Sequence, residues 1–181
     1  MPAFRWLSAA LVLLFASLPT HAQQHESALS DAEIEQVREC RYVPSDCVLL
    51  FVKFLDQRTK DIQDLYAHPR KPGREQDTHD LIEQFTSIAD ELDDNLDDLG
   101  PRHRDIRKAL PKLVAATERW ATALKTPAEN EAYAVSRKLA LEAVRDLRES
   151  ATQLIEEQKA WFIAHPPPKD DPAKASERRP Q

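Results

Sequence analysis

The chain contains two cysteines, Cys40 and Cys47, with six residues between them. This spacing differs from the Cys-x-x-Cys pattern of redox-active pairs, of many metal sites and of covalently attached haem. An even number of cysteines in an exported chain favours a structural disulfide. On a continuous helix the two residues would lie about 10 Å apart along the axis, beyond the reach of a disulfide. A bridge therefore requires a break in the helix, and Pro44 supplies it.

A dense group of carboxylates lies near the middle of the chain and consists of Asp90, Glu91, Asp93, Asp94, Asp97 and Asp98. These acids end a predicted helix, where the helix dipole already places partial negative charge. A basic cluster follows the turn at Gly100 and consists of Arg102, His103, Arg104, Arg107 and Lys108. We predict that the two clusters face each other across the turn and neutralise each other. A divalent-cation site is the alternative, because hard cations prefer clustered oxygen ligands.

A second group of side chains has the spacing of metal ligands. Glu75, His79 and Glu83 follow one another at intervals of four, and Asp64 and His68 share that interval. The chain lacks the Glu-x-x-His pattern that ferritin-like di-metal bundles use. His79 also lies off the apolar stripe of its helix, so we expect it on a solvated face. The sequence thus assigns no metal ligand and no cofactor, and divalent-metal binding remains an alternative function.

Missing residue types exclude several classes of protein. Glycine occurs only at Gly73 and Gly100, whereas phosphate-binding loops, dinucleotide folds and nucleophile elbows need several glycines. Methionine occurs only at Met1, so the mature chain has none to ligate haem or copper. The net charge of −6 disfavours binding to nucleic acids or anionic membranes. No serine-nucleophile motif occurs either, and these features predict a protein without catalytic activity.

The first residues have the pattern of a secretory signal peptide. Arg5 precedes an apolar run over residues 7–18, and a small-residue cleavage site ends at Ala22, so we expect residues 1–22 to be removed on export to the periplasm or the exterior. The apolar run is shorter than the roughly 20 residues that cross a bilayer as a helix, so no membrane span is expected. Residues 23–165 should form one helical domain. Residues 166–181, rich in proline and charge, should form a disordered tail.

Capping signals and helical periodicity predict two helices in the first half of the domain. Ser30 and Glu33 form a capping box that starts the first helix. We expect this helix to be kinked or broken at Pro44, to restart there and to end at His68. Residues 74–99 carry the clearest apolar stripe of the chain and predict the second helix.

Two further helices are predicted after the turn at Gly100. The third covers residues 102–124, with a bend near Arg107 because Pro111 lacks the N–H that a continuous helix needs. The fourth begins at the capping signal formed by Thr126 and the residues after it, and it ends at Pro166. It should be the longest of the four.

Four amphipathic helices joined by short turns predict an all-α fold, an antiparallel up-down-up-down four-helix bundle. A stacking of two hairpins is the alternative. The first and fourth helices are longer than the other two, so both should overhang the bundle beyond the Gly100 turn and pack together there. Trp120 and Tyr133 lie on apolar stripes near the opposite turn and are expected in the core.

The predicted overhang carries apolar and aromatic side chains that a pair of helices cannot bury completely. These candidate interface residues are Ile34, Val37, Leu154, Ile155, Trp161 and Phe162. The sequence therefore predicts an exported binding or structural module that contacts a protein partner, or a second copy of itself, through this patch.

Overall fold

A computed structural model describes residues 28–166, and within that range the chain forms α-helices and no strand. The five helices are α1 (Asp31–Cys40), α2 (Pro44–Ala67), α3 (Arg74–Leu99), α4 (Leu110–Leu124) and α5 (Ala134–Ala164). The predicted all-helical class is confirmed. The predicted leader, residues 1–22, and residues 167–181 of the predicted tail lie outside the described residues.

The capping box predicted at the start of α1 is present. The Glu33 backbone N–H donates to the Ser30 hydroxyl at 3.4 Å, and the Glu33 carboxylate accepts from the Ser30 backbone N–H at 2.8 Å. The two contacts satisfy donors that the first turn of a helix would otherwise leave unpaired.

The first predicted helix is two helices, α1 and α2, separated by residues 41–43. The helix is broken before Pro44 and not merely kinked there. Pro44 occupies the first position of α2, where its missing N–H removes no helical hydrogen bond. Val43 is the residue that precedes this first turn. The Sγ atoms of Cys40 and Cys47 lie 2.06 Å apart, so the two cysteines are at bonding distance across the break, as predicted.

α1 folds back along α2, which is its principal packing partner. The Arg58 guanidinium donates to both carboxylate oxygens of Glu33, at 2.9 and 2.8 Å, and to the carbonyl of Ala28 at 2.8 Å. These contacts place the start of α1 beside the middle of α2. The predicted overhang of the first and last helices therefore does not form. Ile34 and Val37 instead pack against the core from α1 in this folded-back position.

The other four helices pack as two hairpins. α2 packs on α3 and on α4, and α5 packs on the same two helices. α3 and α4 follow each other in sequence, but neither is the other's main neighbour. Ser45 contacts Asp105 and Asp56 contacts Trp120, so α2 and α4 run in the same direction. This arrangement is consistent with a helical bundle in which the α2–α3 hairpin stacks on the α4–α5 hairpin.

Both later helices begin further along the chain than predicted. α4 begins at Leu110, with Pro111 in its first turn. Residues 101–109 therefore form a loop, and the predicted bend near Arg107 is wrong. α5 begins at Ala134, so the predicted cap near Thr126 does not start a helix. A proline is tolerated in the first helical turn, where no donor is lost.

The core between the helices is mainly apolar. Its largest buried side chains are Trp120, Phe51, Phe85, Leu55, Ile62, Ile82, Ile88, Leu92, Leu96, Ile106, Leu110 and Leu113. Tyr133 is buried as predicted. Gly100 lies so close to α5 that a Cβ atom there would be 2.8 Å from Leu154 Cδ2. The glycine therefore allows the end of α3 to approach α5.

Candidate partner-binding surface

The last turns of α5 contact the α3–α4 loop instead of α1. We call the surface formed by residues 101–111 and 154–165 the basic end. Gln158 is only 1% exposed, and its amide joins the two segments. It donates to the carbonyl of Arg104 at 2.7 Å and accepts from the N–H of Ile106 at 3.1 Å. One side chain thus satisfies two backbone groups and fixes the loop on α5.

Trp161 lies between two imidazole rings at the basic end. The His103 ring stacks on one side, with centroids 3.5 Å apart, and His165 stacks at 3.7 Å. His103 has a φ of 50°, a left-handed conformation that a residue with a Cβ adopts only at some cost. Trp161 is half-buried in this stack.

An apolar groove of about 230 Å³ opens beside this stack, between α5 and the first turn of α4. It is lined by Ile155, Phe162, Ile163, Pro111, Arg107 and Lys159. The Arg107 guanidinium lies 3.9 Å from the centroid of the Phe162 ring, a cation–π contact. Ile163 is 74% exposed, which is unusual for a large aliphatic side chain. The groove combines an apolar floor with two cationic side chains.

The predicted mutual neutralisation of the acidic and basic clusters is largely wrong. One ion pair crosses the turn, between Arg102 and Asp98 at 2.6 Å, while Arg107 pairs with Asp105 inside the loop at 2.8 Å. Burial and the carboxylates of Asp93 and Asp94 raise the pKa of Asp90. The acids of α3 therefore repel one another.

The basic end keeps an excess of positive charge. The surface carries a net charge of +2, with three carboxylates, Asp105, Glu156 and Glu157, against five cations, Arg102, Arg104, Arg107, Lys108 and Lys159. Of these cations, Arg104, Lys108 and Lys159 form no ion pair within residues 28–166. The chain as a whole has a net charge of −6, so its charge is unevenly distributed, with positive charge concentrated at the basic end. Such a patch attracts negatively charged partners over a distance of about one Debye length.

His79 is half-buried between α3 and α5, and the prediction of a solvated face is wrong. Its Nδ1 lies 3.1 Å from the hydroxyl oxygen of Ser136, and its Nε2 lies 3.2 Å from Glu83. This Ser–His–Glu series suggests a nucleophile, but Ser136 is buried and donates to the carbonyl of Tyr133 at 3.2 Å. The three residues therefore tie two helices together.

The other residues with metal-like spacing are engaged elsewhere. Glu75 pairs with Arg70 at 3.1 Å, and the His68 Nδ1 contacts the backbone oxygen of Asp64 at 2.8 Å. In the part of the chain that the structure describes, no three His, Cys, Asp or Glu side chains are grouped to hold a metal ion.

The predicted interface residues fall into four environments. Ile155 and Phe162 line the groove, Trp161 is stacked beside it, and Leu154 is buried beneath Gly100. Ile34 and Val37 pack on the bundle as part of α1.

Three residues of this surface were not predicted from the sequence: Gln158, Lys159 and Ile163. Gln158 could have been found, because it occupies a position on the apolar stripe of α5 where an unpaired amide would be costly. The exposure of Lys159 and Ile163 depends on the position of the loop, which periodicity does not give.

No protein-family model matches the chain, and no curated protein or solved structure is significantly similar to it. None of the helices in residues 28–166 is both long enough and apolar enough to span a bilayer.

Proposed function

We propose that this chain is an exported binding module without catalytic activity. In this proposal α2 to α5 run alternately up and down, and the basic end holds a protein partner. The pairing of Cys40 with Cys47 supports export, because disulfides persist in oxidising compartments. The proposal rests on the groove at the basic end, which has an apolar floor and cationic side chains beside it.

The chemistry of the groove specifies an acidic, amphipathic segment of another protein. An apolar side chain of the partner would lie on Ile155, Phe162 and Ile163, which together offer an exposed aliphatic and aromatic floor. Carboxylates flanking that side chain would meet Lys159 and the unpaired cations of the loop. Charge complementarity of this kind raises the association rate and selects the partner, while the apolar contact supplies affinity.

Binding can be tested by calorimetry with a synthetic amphipathic helix that carries leucine on one face and glutamate beside it. We expect the oxidised protein to bind this peptide and to reject the same helix with lysine replacing glutamate. Ile163→Asp should abolish binding, because it places a charge on the floor of the groove and repels the peptide. Val135→Asp is the matched control, since Val135 is also exposed on α5, at 72%.

Two outcomes would contradict the proposal. Equal binding of the two peptides would show that the cations do not select the partner. Equal loss of binding with Ile163→Asp and Val135→Asp would show that the groove is not the site.

A further inference from the structure

α1 is a short helix held on the bundle at its two ends. The disulfide joins its last residue, Cys40, to α2. At the other end Glu33 and the carbonyl of Ala28 accept from Arg58. Between these points α1 has no fully buried residue of its own. Its attachment therefore depends on a covalent bond, one ion pair and modest apolar contact with α2.

The connection between α1 and α2 makes few contacts with the rest of the molecule. It consists of residues 41–43, of which Tyr42 is 73% exposed and Val43 is 50% exposed. The Arg41 guanidinium donates to the Tyr42 hydroxyl at 2.9 Å, a contact within the connection itself. A change of backbone direction here would therefore disturb little packing.

The disulfide prevents α1 from swinging into line with α2. It holds the Cα atoms of Cys40 and Cys47 5.0 Å apart. If α1 pointed away in line with α2, these atoms would lie about 10 Å apart, because a helix rises about 1.5 Å per residue. A disulfide spans at most about 7 Å between Cα atoms. The oxidised chain therefore cannot place α1 in line with α2.

We propose that the α2 face under α1 is an interface with a second copy of this chain, opened by reduction of the Cys40–Cys47 disulfide. A dithiol transfers two electrons and two protons to the bridge: the Cys40–Cys47 S–S bond breaks to give two thiols, and the reductant forms an S–S bond and becomes a cyclic disulfide. α1 then swings about residues 41–43 and seats on α2 of the second copy. The exchange is reciprocal and closes with two-fold symmetry.

When α1 leaves, the α2 face that it covered is complementary to the α1 helix of a second copy. The face presents the guanidinium of Arg58, whose forked donors match the carboxylate of Glu33 in geometry. It also presents the apolar surface that Leu29, Ile34 and Val37 cover in the closed chain. The exchanged dimer recovers each of these contacts between chains.

The first test is the mass of the protein in solution, measured by light scattering after size exclusion. We expect the oxidised chain to be a monomer at every concentration. The variant that carries Cys40→Ser and Cys47→Ser should form a dimer whose fraction rises with concentration. A variant that remains monomeric at high concentration would overturn the proposal.

A charge-reversal pair then tests whether α1 is the exchanged element. Both members carry the two cysteine substitutions; one adds Glu33→Arg and the other adds Arg58→Glu. Each alone places like charges together and should not dimerise. Mixed, they should form a one-to-one dimer, because each α1 meets an opposite charge on its partner. A dimer of the cysteine variant without this rescue in the mixture would show another interface and would also overturn the proposal. Circular dichroism verifies that both variants keep their helices.

Discussion

The ion pair between Glu33 and Arg58 strongly lowers the pKa of the Glu33 carboxyl. The bidentate hydrogen bonds from Arg58 lower the pKa of Glu33 from 4.5 to about 2, against the opposing effect of burial. A carboxyl whose pKa is lower in the folded than in the unfolded state stabilises the fold at neutral pH. That stabilisation is lost as the pH falls from about 4.5 towards 2.

Glu33→Gln should therefore flatten the acid side of the stability profile. We expect the wild-type free energy of unfolding to fall between about pH 4.5 and pH 2, and the variant to show a smaller decrease there. At neutral pH, Arg58→Ala should cost roughly 2 to 3 kcal/mol, because it leaves a largely buried carboxylate without its partner. Urea melts at several pH values measure both effects. An unchanged acid profile in Glu33→Gln would refute the assignment.

His79 links α3 to α5 through its hydrogen bond with Ser136. Its hydrogen bond to Ser136 is partly shielded from water, so His79→Ala should destabilise the protein by about 1 kcal/mol. Ser136→Ala should cost a similar amount, and the double variant should cost less than the sum of the two. Urea melts of the three variants form the thermodynamic cycle. Strictly additive losses would mean that the two side chains do not interact.

At the scale of whole elements, Gln158 positions the α3–α4 loop. Gln158→Leu removes both of its hydrogen bonds and leaves the buried N–H of Ile106 without a partner, so we expect a loss of about 2 kcal/mol. Hydrogen exchange should increase over residues 101–109. Gln153→Leu is the matched control on the exposed face of α5, and its effect should stay within about 0.5 kcal/mol. Equal effects of the two substitutions would contradict this role.

The acids of α3 should destabilise their own helix. Asp90→Asn relieves repulsion with Asp94, one turn away, and should stabilise the protein by about 0.2 to 0.5 kcal/mol at neutral pH. The pKa of Asp90 is raised, so the same penalty disappears as the pH falls through that pKa. The gain should shrink in high salt.

Asp77→Asn is the control for this prediction and should act in the opposite direction. Asp77 lies in the first turn of α3, where a negative charge is favourable. If both substitutions destabilise the protein in thermal melts, charge repulsion within α3 is not the cause.

Local features of the fold were predictable from sequence where neighbouring residues determine them. The Ser30 capping box, the turn at Gly100 and the pairing of Cys40 with Cys47 depend on residues close in the chain. The starts of α4 and α5 were missed because a proline permits a first turn as readily as it breaks a helix. Pro111 was interpreted as the cause of a bend near Arg107 within a longer helix.

The arrangement of the whole molecule depends on contacts that no local pattern contains. The folded-back position of α1 requires Arg58 to meet Glu33 across 25 positions of sequence. The basic end likewise requires the loop to lie on α5, which Gln158 ensures. Candidate residues such as Phe162 were identified from their apolar character. Their neighbours at the surface could not be identified in this way, because those contacts join segments distant in sequence.

Binding of an acidic, amphipathic segment at the basic end can be mapped residue by residue in an amide NMR titration of the oxidised protein. On addition of the glutamate-leucine helix, chemical shifts should change most over residues 155–163 and 103–111, including Lys159 and Ile163. Residues 135–145, at the other end of α5, should change little. Changes centred on residues 135–145, or spread evenly over the bundle, would show that the segment does not bind at the basic end.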